Sequence, residues 1–389
     1  MTPDFSIVTG GPLFRLWRRA NLADEGMKLQ KERLLFAVLI AWLPLLLLLM
    51  IDGRAWTETI THSFFEDVDI QVKLLVALPL LILAESKVHH RLPKTVETFL
   101  ANGLLTDASR PRFAAALSSV KRLRDSIAAE VMLLVFVYAV GIGIIWFHRV
   151  TPDATSWYVV LGSSGPSLSL AGWWALGVSL PLFQFVLMRW YYRLFIWGRF
   201  LWQVSRMDLH LQPVHPDGTA GLQFLSLTTR AFAGVMLAQG VTLSAMMANR
   251  IFHEGAQLMD FKVELIGTVC LMILVIIGPL LSFYPKLRAT REAGLYDLEL
   301  LGQRYACEFG SKWVHSDTET KNTLIGSADI QSLADLRNSY LIVSGMNVIP
   351  LGLPNIIYLA AMTLLPITPL LLTIFSVEQL LDRMLKVIF

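Results

Sequence analysis

The middle of the chain reads RWYYRLFIWGRFLWQVSRMDLHLQPVHPDGTAGLQFL (residues 189–225) and lies between two long apolar runs. Its first half is rich in arginine and aromatic residues. Its second half contains two histidines and a Pro-Asp-Gly turn. Arginine beside aromatic rings is typical of the boundary between the apolar interior of a membrane and water. We therefore expect a membrane-spanning helix to leave the membrane where this stretch begins.

The composition supports a membrane protein with several spans. Hydrophobic residues make up 54% of the 389 residues and charged residues 16%, whereas soluble proteins carry about 25% charge. Several apolar runs are long enough for a helix to cross a hydrocarbon core of about 30 Å. The sequence thus predicts an all-α polytopic transmembrane bundle of six or seven spans. Within residues 34–284, six spans are predicted at 34–51, 68–88, 131–147, 168–188, 231–248 and 265–284.

The region 339–389 predicts either a seventh span or a re-entrant hairpin, followed by an amphipathic tail. Residues 339–377 carry no charge, but four prolines interrupt them. Proline removes a backbone donor and interrupts a helix, so two half-helices that dip into the membrane are the alternative to one span.

Lysine and arginine mark the side on which each polar segment lies. They are concentrated in a basic, interfacial N-terminal segment, residues 1–33, and in the loops 89–130 and 189–225. The helical segment 285–338 begins with three basic residues in seven positions. We expect these four regions and the N-terminus on the cytoplasmic side of a bacterial inner membrane.

Some helices are predicted to extend beyond the membrane. Apolar residues recur at three- and four-residue steps from Phe113, and no breaker precedes the apolar run that ends at Phe147. This spacing predicts one helix over residues 111–148, roughly 57 Å long at the helical rise. Its first half would then project into a cytoplasmic helical region.

Two charged residues inside the second predicted span are candidates for a pore or a relay. Lys73 lies four residues after Asp69, so these two side chains can pair on one helix face. Glu85 lies near the inner end of the span, one turn before His89. Burial of a charge without a partner is costly, and such residues are often functional.

The central stretch offers a second candidate site, for an anion or a lipid headgroup. Arg189, Arg193 and Arg199 share one arc of a helix and could line an anion path. An aromatic belt with arginines that reach the headgroups is the alternative. Backbone N–H groups at Gly218 and Thr219 could also face an anion, unless the turn is an ordinary loop.

A metal ion is the third hypothesis, and the turn residue Asp217 has two possible roles. His89, His210, His215 and Asp217 are all predicted at the inner membrane face, and such ligands suit zinc. In the alternative, Asp217 caps the helix that enters the fifth span. The chain lacks HExxH, CxxC and P-loop motifs, so no catalytic residue is assigned and no other cofactor is expected. A non-enzymatic protein is favoured over an enzyme.

Two phrases, HPDGTAGL at 215–222 and GSADIQSLADL at 326–336, resemble those of uncharacterised bacterial polytopic inner-membrane proteins. The resemblance runs from about residue 190 to residue 350. It implies a bacterial inner membrane and carries no assignment of activity.

The favoured function is a membrane transport component, most simply a homo-oligomeric ion channel or pore with a cytoplasmic vestibule. The lipid bilayer and other copies of the chain are then its partners, and no nucleic acid is expected. The first alternative is a membrane anchor or signalling subunit that recruits a cytoplasmic protein through residues 285–338. The second is a membrane-embedded, metal-dependent enzyme that uses the inner-face histidines and acids.

Overall fold

The fold comes from a computed structural model, which describes residues 5–19, 29–53, 63–149, 156–162, 165–315 and 328–373. The predicted tail after residue 373 lies outside these ranges, as do Gly326 and Ser327, the first two residues of the phrase GSADIQSLADL. The described chain is almost entirely helical, with one antiparallel hairpin of the strands β1 (Val159–Gly162) and β2 (Gly165–Leu168). The helices are α1 (Gly11–Arg19), α2 (Gln30–Ile51), α3 (Val68–Val72), α4 (Leu78–Ala101), α5 (Arg110–Arg124), α6 (Ile127–Arg149), α7 (Leu170–Trp174), α8 (Leu180–Ser205), α9 (Gln223–Thr229), α10 (Ala233–Glu254), α11 (Lys262–Leu281), α12 (Tyr284–Phe309), α13 (Ala328–Ser344) and α14 (Leu353–Leu364).

Among the described residues, five helical stretches are long and apolar enough to cross a membrane, which confirms the all-α class but not the count of six or seven. They are Gln30–Ile51, Leu170–Ser205, Gln223–Glu254, Leu258–Leu281 and Leu353–Thr373. The first four overlap the predicted spans at 34–51, 168–188, 231–248 and 265–284. The fifth falls in the region for which a span or a re-entrant hairpin was predicted.

The two remaining predicted spans are helical but do not meet the same standard of length and composition. The helix through residues 68–88 carries Asp69, Lys73 and Glu85, which lower its apolar character. The span predicted at 131–147 lies within α6, whose apolar part is shorter over the residues whose side chains are described. Both helices pack on neighbouring helices, α4 on α2 and α10, and α6 on α8.

Two long helices contain one π-helical turn each, directly before a proline. Lys73–Ala77 joins α3 to α4 ahead of Pro79, and Ala175–Ser179 joins α7 to α8 ahead of Pro181. Proline has no N–H and its ring crowds the carbonyl four residues earlier, so the backbone there must widen. The carbonyl four residues before Pro181, that of Gly177, instead accepts a hydrogen bond from the Tyr138 hydroxyl over 2.8 Å. The helix is therefore widened before Pro181, and the carbonyl that this frees has a hydrogen-bond donor.

The helix α10 lies at the centre of the packing and contacts α3, α4 and α14. Gly240 permits the closest approach, because a Cβ atom there would overlap the backbone carbonyl of Thr363. The Ser244 hydroxyl donates to the carbonyl of Pro366 over 2.7 Å on the same side. The C-terminal apolar region thus packs along α10 as one helical run, α14 followed by the 3₁₀ helix Leu365–Thr373. This differs from the two half-helices of a re-entrant hairpin.

The single helix predicted over residues 111–148 is wrong, because the chain breaks at Asp125 and Ser126 between α5 and α6. The reason is a tertiary contact: the Asp125 carboxylate accepts a hydrogen bond from the backbone N–H of Gly11 over 2.9 Å. The break turns α5 back against α8. The first half of the predicted helix therefore packs on the bundle instead of projecting away from it.

The helices α12 and α13 form a hairpin that packs mainly on itself. At its base, the Asn347 N–H donates to the carbonyl of Gly218 over 2.8 Å, and Arg291 donates to the carbonyl of Ser344. Beyond this base, many apolar side chains on both helices are exposed. The hairpin is thus fastened to the bundle at one end, next to the 215–221 turn.

Candidate functional site

The buried carboxylate of Glu85 binds two arginines that come from different helices. Arg193 on α8 donates through Nη1 to Oε1 over 2.7 Å, and Arg33 on α2 donates to Oε2. All three side chains are less than a tenth exposed. These bonds to Glu85 come from the two arginines and not from His89, which lies one turn further along α4. That ring contacts the Ser6 hydroxyl over 3.1 Å instead.

A second buried pair lies beside the first. The Nε atom of Arg189, one turn before Arg193 on α8, is 3.3 Å from Oε1 of Glu130 at the start of α6. Both side chains are about 10% exposed. We call Arg33, Glu85, Glu130, Arg189 and Arg193 the arginine–glutamate cluster. It joins α2, α4, α6 and α8 near one end of the bundle.

The N-terminal segment, residues 5–10, closes over this cluster. The carbonyls of Val8 and Gly10 accept hydrogen bonds from Arg193 and Arg189 over 3.4 and 3.2 Å. The segment itself is anchored by Phe5, whose ring packs against those of Trp197 and Phe200. Further on, the N–H of Leu13 donates to Oε2 of Glu130 over 2.7 Å. Residues 5–8 are buried, so this part of the predicted interfacial segment 1–33 is an integral part of the bundle.

Two glycines let the segment turn into α1 at close range. Gly10 and Gly11 have φ of 141° and 87°, a region that other residues rarely adopt. A Cβ atom on Gly10 would overlap the Arg124 guanidinium and lie 2.7 Å from Oδ1 of Asp125. Glycine is therefore needed where the chain crosses the junction of α5 and α6.

The junction is held by a charged contact outside the apolar spans. Arg124 donates from Nε and Nη2 to the two oxygens of Asp125 over 2.9 and 2.8 Å, and from Nη1 to the carbonyl of Ser6 over 2.8 Å. Burial raises the pKa of the Asp125 carboxyl, but the bonds from Arg124 and Gly11 outweigh burial, so this pKa lies below its usual value. The carboxylate is thus ionised at neutral pH and holds the segment in place.

The cluster is built to hold helices together. Its three arginines and two glutamates lie within hydrogen-bond or ion-pair distance of one another or of the N-terminal segment. An isolated buried charge costs several kcal/mol, and this cost is offset only when every partner is present. The net charge of the five side chains is one positive charge, three minus two. Such an arrangement links four helices and the N-terminal segment at this end of the bundle.

Lys73, the other pore or relay candidate, is paired elsewhere. Its Nζ atom lies 2.6 Å from Oδ2 of Asp69, the pairing that the four-residue spacing predicted. Lys73 and Glu85 are twelve positions apart along one continuous run of helix, about 18 Å at the helical rise. The structure therefore does not bring the two relay candidates together.

Arg189, Arg193 and Arg199, predicted as one cationic lining, have different surroundings. The first two belong to the cluster, where carboxylates neutralise them, and they do not reach out to headgroups. Arg199 is exposed. This geometry does not support a single anion path lined by all three arginines.

The turn at residues 215–221 is closed by its own aspartate. Oδ1 of Asp217 accepts from the N–H groups of Thr219 and Gly221 over 2.8 and 3.0 Å, and Oδ2 accepts from that of Gln223 over 3.1 Å. Burial raises the pKa of Asp217, but these backbone bonds outweigh it, and the pKa lies below its usual value. His215 lies 2.9 Å from the same carboxylate.

The predicted roles of this turn change accordingly. Asp217 is not the N-cap residue of α9, which is Leu222, although it does accept from the first helical N–H, that of Gln223. The N–H of Gly218 donates to the carbonyl of His215 over 3.2 Å. The backbone donors of Gly218 and Thr219 proposed for an anion therefore have acceptors within the turn.

The metal hypothesis finds no cluster in the part of the chain that the structure describes. Nowhere there do three His, Cys, Asp or Glu side chains meet in a way that could hold a metal ion. His89 lies near Ser6 and His90, His210 contacts Gln212, and His215 contacts Asp217. Of the predicted ligands, His215 and Asp217 are in contact, and no third such side chain joins them among the described residues.

Sequence reasoning missed Arg33, Glu130 and the N-terminal segment as parts of this site. Arg33 and Glu130 each stand directly before an apolar run, as Glu85 and Arg189 stand at the inner ends of theirs. Four charges at the same end of four predicted spans were a usable signal for mutual pairing. The burial of residues 5–8 had no comparable signal, because the segment is short and lies far from its partners in sequence.

No protein-family model matches this chain, no curated protein is significantly similar to it, and no solved structure matches it significantly. By its fold and site, the chain is an all-α protein with several membrane-compatible helices and a buried arginine–glutamate cluster. The resemblance of its two phrases to bacterial inner-membrane proteins stays a prediction.

Proposed function

We propose that this protein is a transport component of the bacterial inner membrane that works as a homo-oligomer, with its N-terminus in the cytoplasm. Five membrane-compatible helices support the location in a membrane. The basic residues gathered in 89–130, in 189–225 and at the start of α12 support this orientation, because such residues are retained in the cytoplasm.

Within this proposal, the helices α3–α4 and α6 also cross the membrane. The three charges that lower the apolar character of the run α3–α4 are paired, Lys73 with Asp69 and Glu85 with two arginines. Paired charges that face the interior of a bundle are compatible with a spanning helix. The position of α4 between α2 and α10 supports this reading.

The observation that carries the homo-oligomer is the exposed apolar surface of the α12–α13 hairpin. Tyr296 is 62%, Ile330 50% and Leu341 53% exposed, although the hairpin lies in a segment predicted to be in water. Exposed apolar area of this kind costs about 25 cal/mol per Å², and contiguous apolar patches mark interaction sites. A second copy presents the same surface, as a symmetric interface requires.

An ion path between subunits fits this geometry better than one through a single chain. The arginine–glutamate cluster links four helices and the N-terminal segment at one end of the bundle. Helices from several copies could enclose a path between them, with the hairpins around its cytoplasmic mouth. The alternative, an anchor that recruits a different cytoplasmic protein, uses the same hairpin surface.

The test measures molar mass and ion flux on the same preparations. Multi-angle light scattering in nanodiscs gives the number of copies for the parent chain and for the double variant Leu300→Glu, Ile330→Glu. We expect several copies for the parent and fewer for the variant. Val214→Glu adds the same charge at an exposed apolar residue outside the hairpin and should leave the number of copies unchanged.

Flux then separates transport from anchoring. Proteoliposomes with a potassium or chloride gradient should dissipate it faster than empty liposomes, and the hairpin variant should slow this dissipation. A monomeric parent would refute the homo-oligomer, and flux equal to that of empty liposomes would refute the transport role. Capture of one defined cytoplasmic protein, lost in the hairpin variant, would favour the anchor.

A further inference from the structure

A polar cavity of about 440 Å³ lies beside the N-terminal segment, outside the arginine–glutamate cluster. It is formed where α1 passes α4 and the junction of α5 and α6. Its charged and titratable lining consists of Arg15, Arg18, His89, Arg124 and Asp125. A cavity of this volume is within the range that holds small molecules, roughly 300 to 1,000 Å³.

The described residues of the lining include three arginines and one carboxylate. That carboxylate binds Arg124 and the N–H of Gly11. Arg15 and Arg18 lie on one face of α1 and line the same space. A guanidinium presents a planar pair of donors that matches the oxygens of a phosphate group.

The opposite face of α1 is apolar and meets helices that are compatible with a membrane. Leu13 and Leu16 line a second cavity, of about 450 Å³, together with Ile40 of α2, Val131 of α6 and Leu182 of α8. A helix with one basic face and one apolar face against spanning helices has the placement of an interfacial helix. The polar cavity therefore lies at the level of lipid headgroups.

We propose that the cavity lined by Arg15, Arg18 and Arg124 binds a phosphate group, carried either by an anionic lipid headgroup or by a soluble phosphate. Arg124 is preorganised by Asp125 and by the Ser6 carbonyl, and α1 supplies the other two guanidinium groups. Occupation of the cavity would bind the N-terminal segment more firmly to the bundle. This site does not depend on the transport proposal.

Native mass spectrometry in a neutral detergent measures the binding. The parent chain is titrated with phosphatidylglycerol and with phosphatidylcholine of the same acyl chains, each with and without inorganic phosphate. The double variant Arg15→Gln, Arg18→Gln removes two charges from the cavity. Its control, Arg112→Gln with Arg122→Gln, removes two exposed charges from α5, none of which lines the cavity.

We expect the parent chain to bind one molecule of phosphatidylglycerol, and to bind it more tightly than phosphatidylcholine. The cavity variant should lower this affinity at least tenfold, since charge-assisted hydrogen bonds each contribute about 1.5 to 3 kcal/mol, and a tenfold change corresponds to 1.4 kcal/mol. The control should change it less than threefold. Equal unfolding temperatures of the two variants would show that both are folded, and Arg15→Lys with Arg18→Lys should restore most of the affinity.

The competitor distinguishes the two sources of phosphate. If millimolar inorganic phosphate does not displace phosphatidylglycerol, the ligand is a lipid. Displacement, with direct binding of inorganic phosphate to the parent and not to the cavity variant, indicates a soluble one. The proposal would be overturned if the parent chain bound both lipids equally and did not bind inorganic phosphate. It would also be overturned if the cavity variant and its control lost the same amount of lipid affinity.

Discussion

Arg193 on α8 donates a hydrogen bond of 2.7 Å to the carboxylate of Glu85 on α4, although 108 residues separate the two in sequence. The contact is buried, and Arg33 binds the other oxygen of the same carboxylate. One acidic side chain thereby links three helices. Each of the first two predictions concerns this link.

We expect Glu85→Gln to destabilise the protein by about 3 kcal/mol, the usual effect when one partner of a buried ion pair is removed. The substitution leaves Arg33 and Arg193 without their carboxylate at an unchanged side-chain volume. Thermal unfolding in detergent would measure the loss. Glu97→Gln on the same helix has no such partners and should change stability by less than about 0.5 kcal/mol. Equal effects of the two substitutions would contradict the assigned role of Glu85.

The contact between Glu85 and Arg193 should appear as a coupling energy. In a double-mutant cycle of Glu85→Gln and Arg193→Gln, we expect the two effects to differ from additivity by about 1 to 3 kcal/mol, as residues in one ion-pair network do. Arg199 lies on the same helix but is exposed. Glu85→Gln and Arg199→Gln should add within about 0.5 kcal/mol, and coupling of equal size in both cycles would argue against a direct contact.

Gly10→Ala should detach the N-terminal segment from the cluster. Alanine is strained at the positive φ of residue 10, and its methyl group would overlap Arg124. Either the segment or the Arg124–Asp125 pair must therefore move. Limited proteolysis should cleave the variant within its first residues faster than the parent. Gly103→Ala has a similar strain, with φ of 64°, but no neighbour within 4 Å, and its N-terminus should stay as protected as that of the parent.

Asp217 should stabilise the turn before α9 through its charge. Asp217→Ala leaves three backbone donors without their acceptor, and we expect a loss of about 2 kcal/mol. Asp217→Asn should lose about 1 kcal/mol, because an amide has one acceptor oxygen where the carboxylate uses two. Asp107→Ala, fully exposed, serves as the control and should be near neutral.

The stabilisation of the folded protein by Asp217 should decrease at low pH. Because its pKa is lowered in the folded protein, its stabilisation is complete above the pKa of the unfolded chain, about 3.9. It is lost as the pH falls through the lower folded value. The difference in unfolding temperature between the parent and Asp217→Ala should therefore be constant from pH 8 to 5 and shrink below pH 4. A difference that already shrinks between pH 7 and 6 would contradict the role assigned to the Asp217 carboxylate.

The two cysteines of the chain test the proposed orientation without further engineering. Cys307 near the end of α12 and Cys270 within α11 are both exposed in the structure. A membrane-impermeant maleimide should leave Cys307 unmodified in intact cells and modify it after permeabilisation. Cys270, in a membrane-compatible helix, should react only with a lipid-soluble reagent. Modification of Cys307 in intact cells would place α12 on the outer side.

The helical class and the positions of most apolar helices followed from the sequence because hydropathy and length are local properties. The pair of Lys73 and Asp69 was predicted for the same reason, since four-residue spacing on one helix settles it. The partners of Glu85 could not be chosen among several arginines, because that choice depends on which helices pack together. The break at Asp125 was also invisible, since it depends on a hydrogen bond to Gly11, more than a hundred residues away.

The same long separations set an order of events during synthesis. The N-terminal segment leaves the ribosome first, but the residues that hold it, Arg124, Glu130, Arg189 and Arg193, follow between about 120 and 190 positions later. At 5 to 20 residues per second, the segment waits about 10 to 40 s before Arg193, which bonds to the carbonyl of Val8, has been made. A purification tag or chaperone bound next to this segment therefore acts on a step that cannot finish before Arg193 has been made, and a tag there should lower the yield of folded protein.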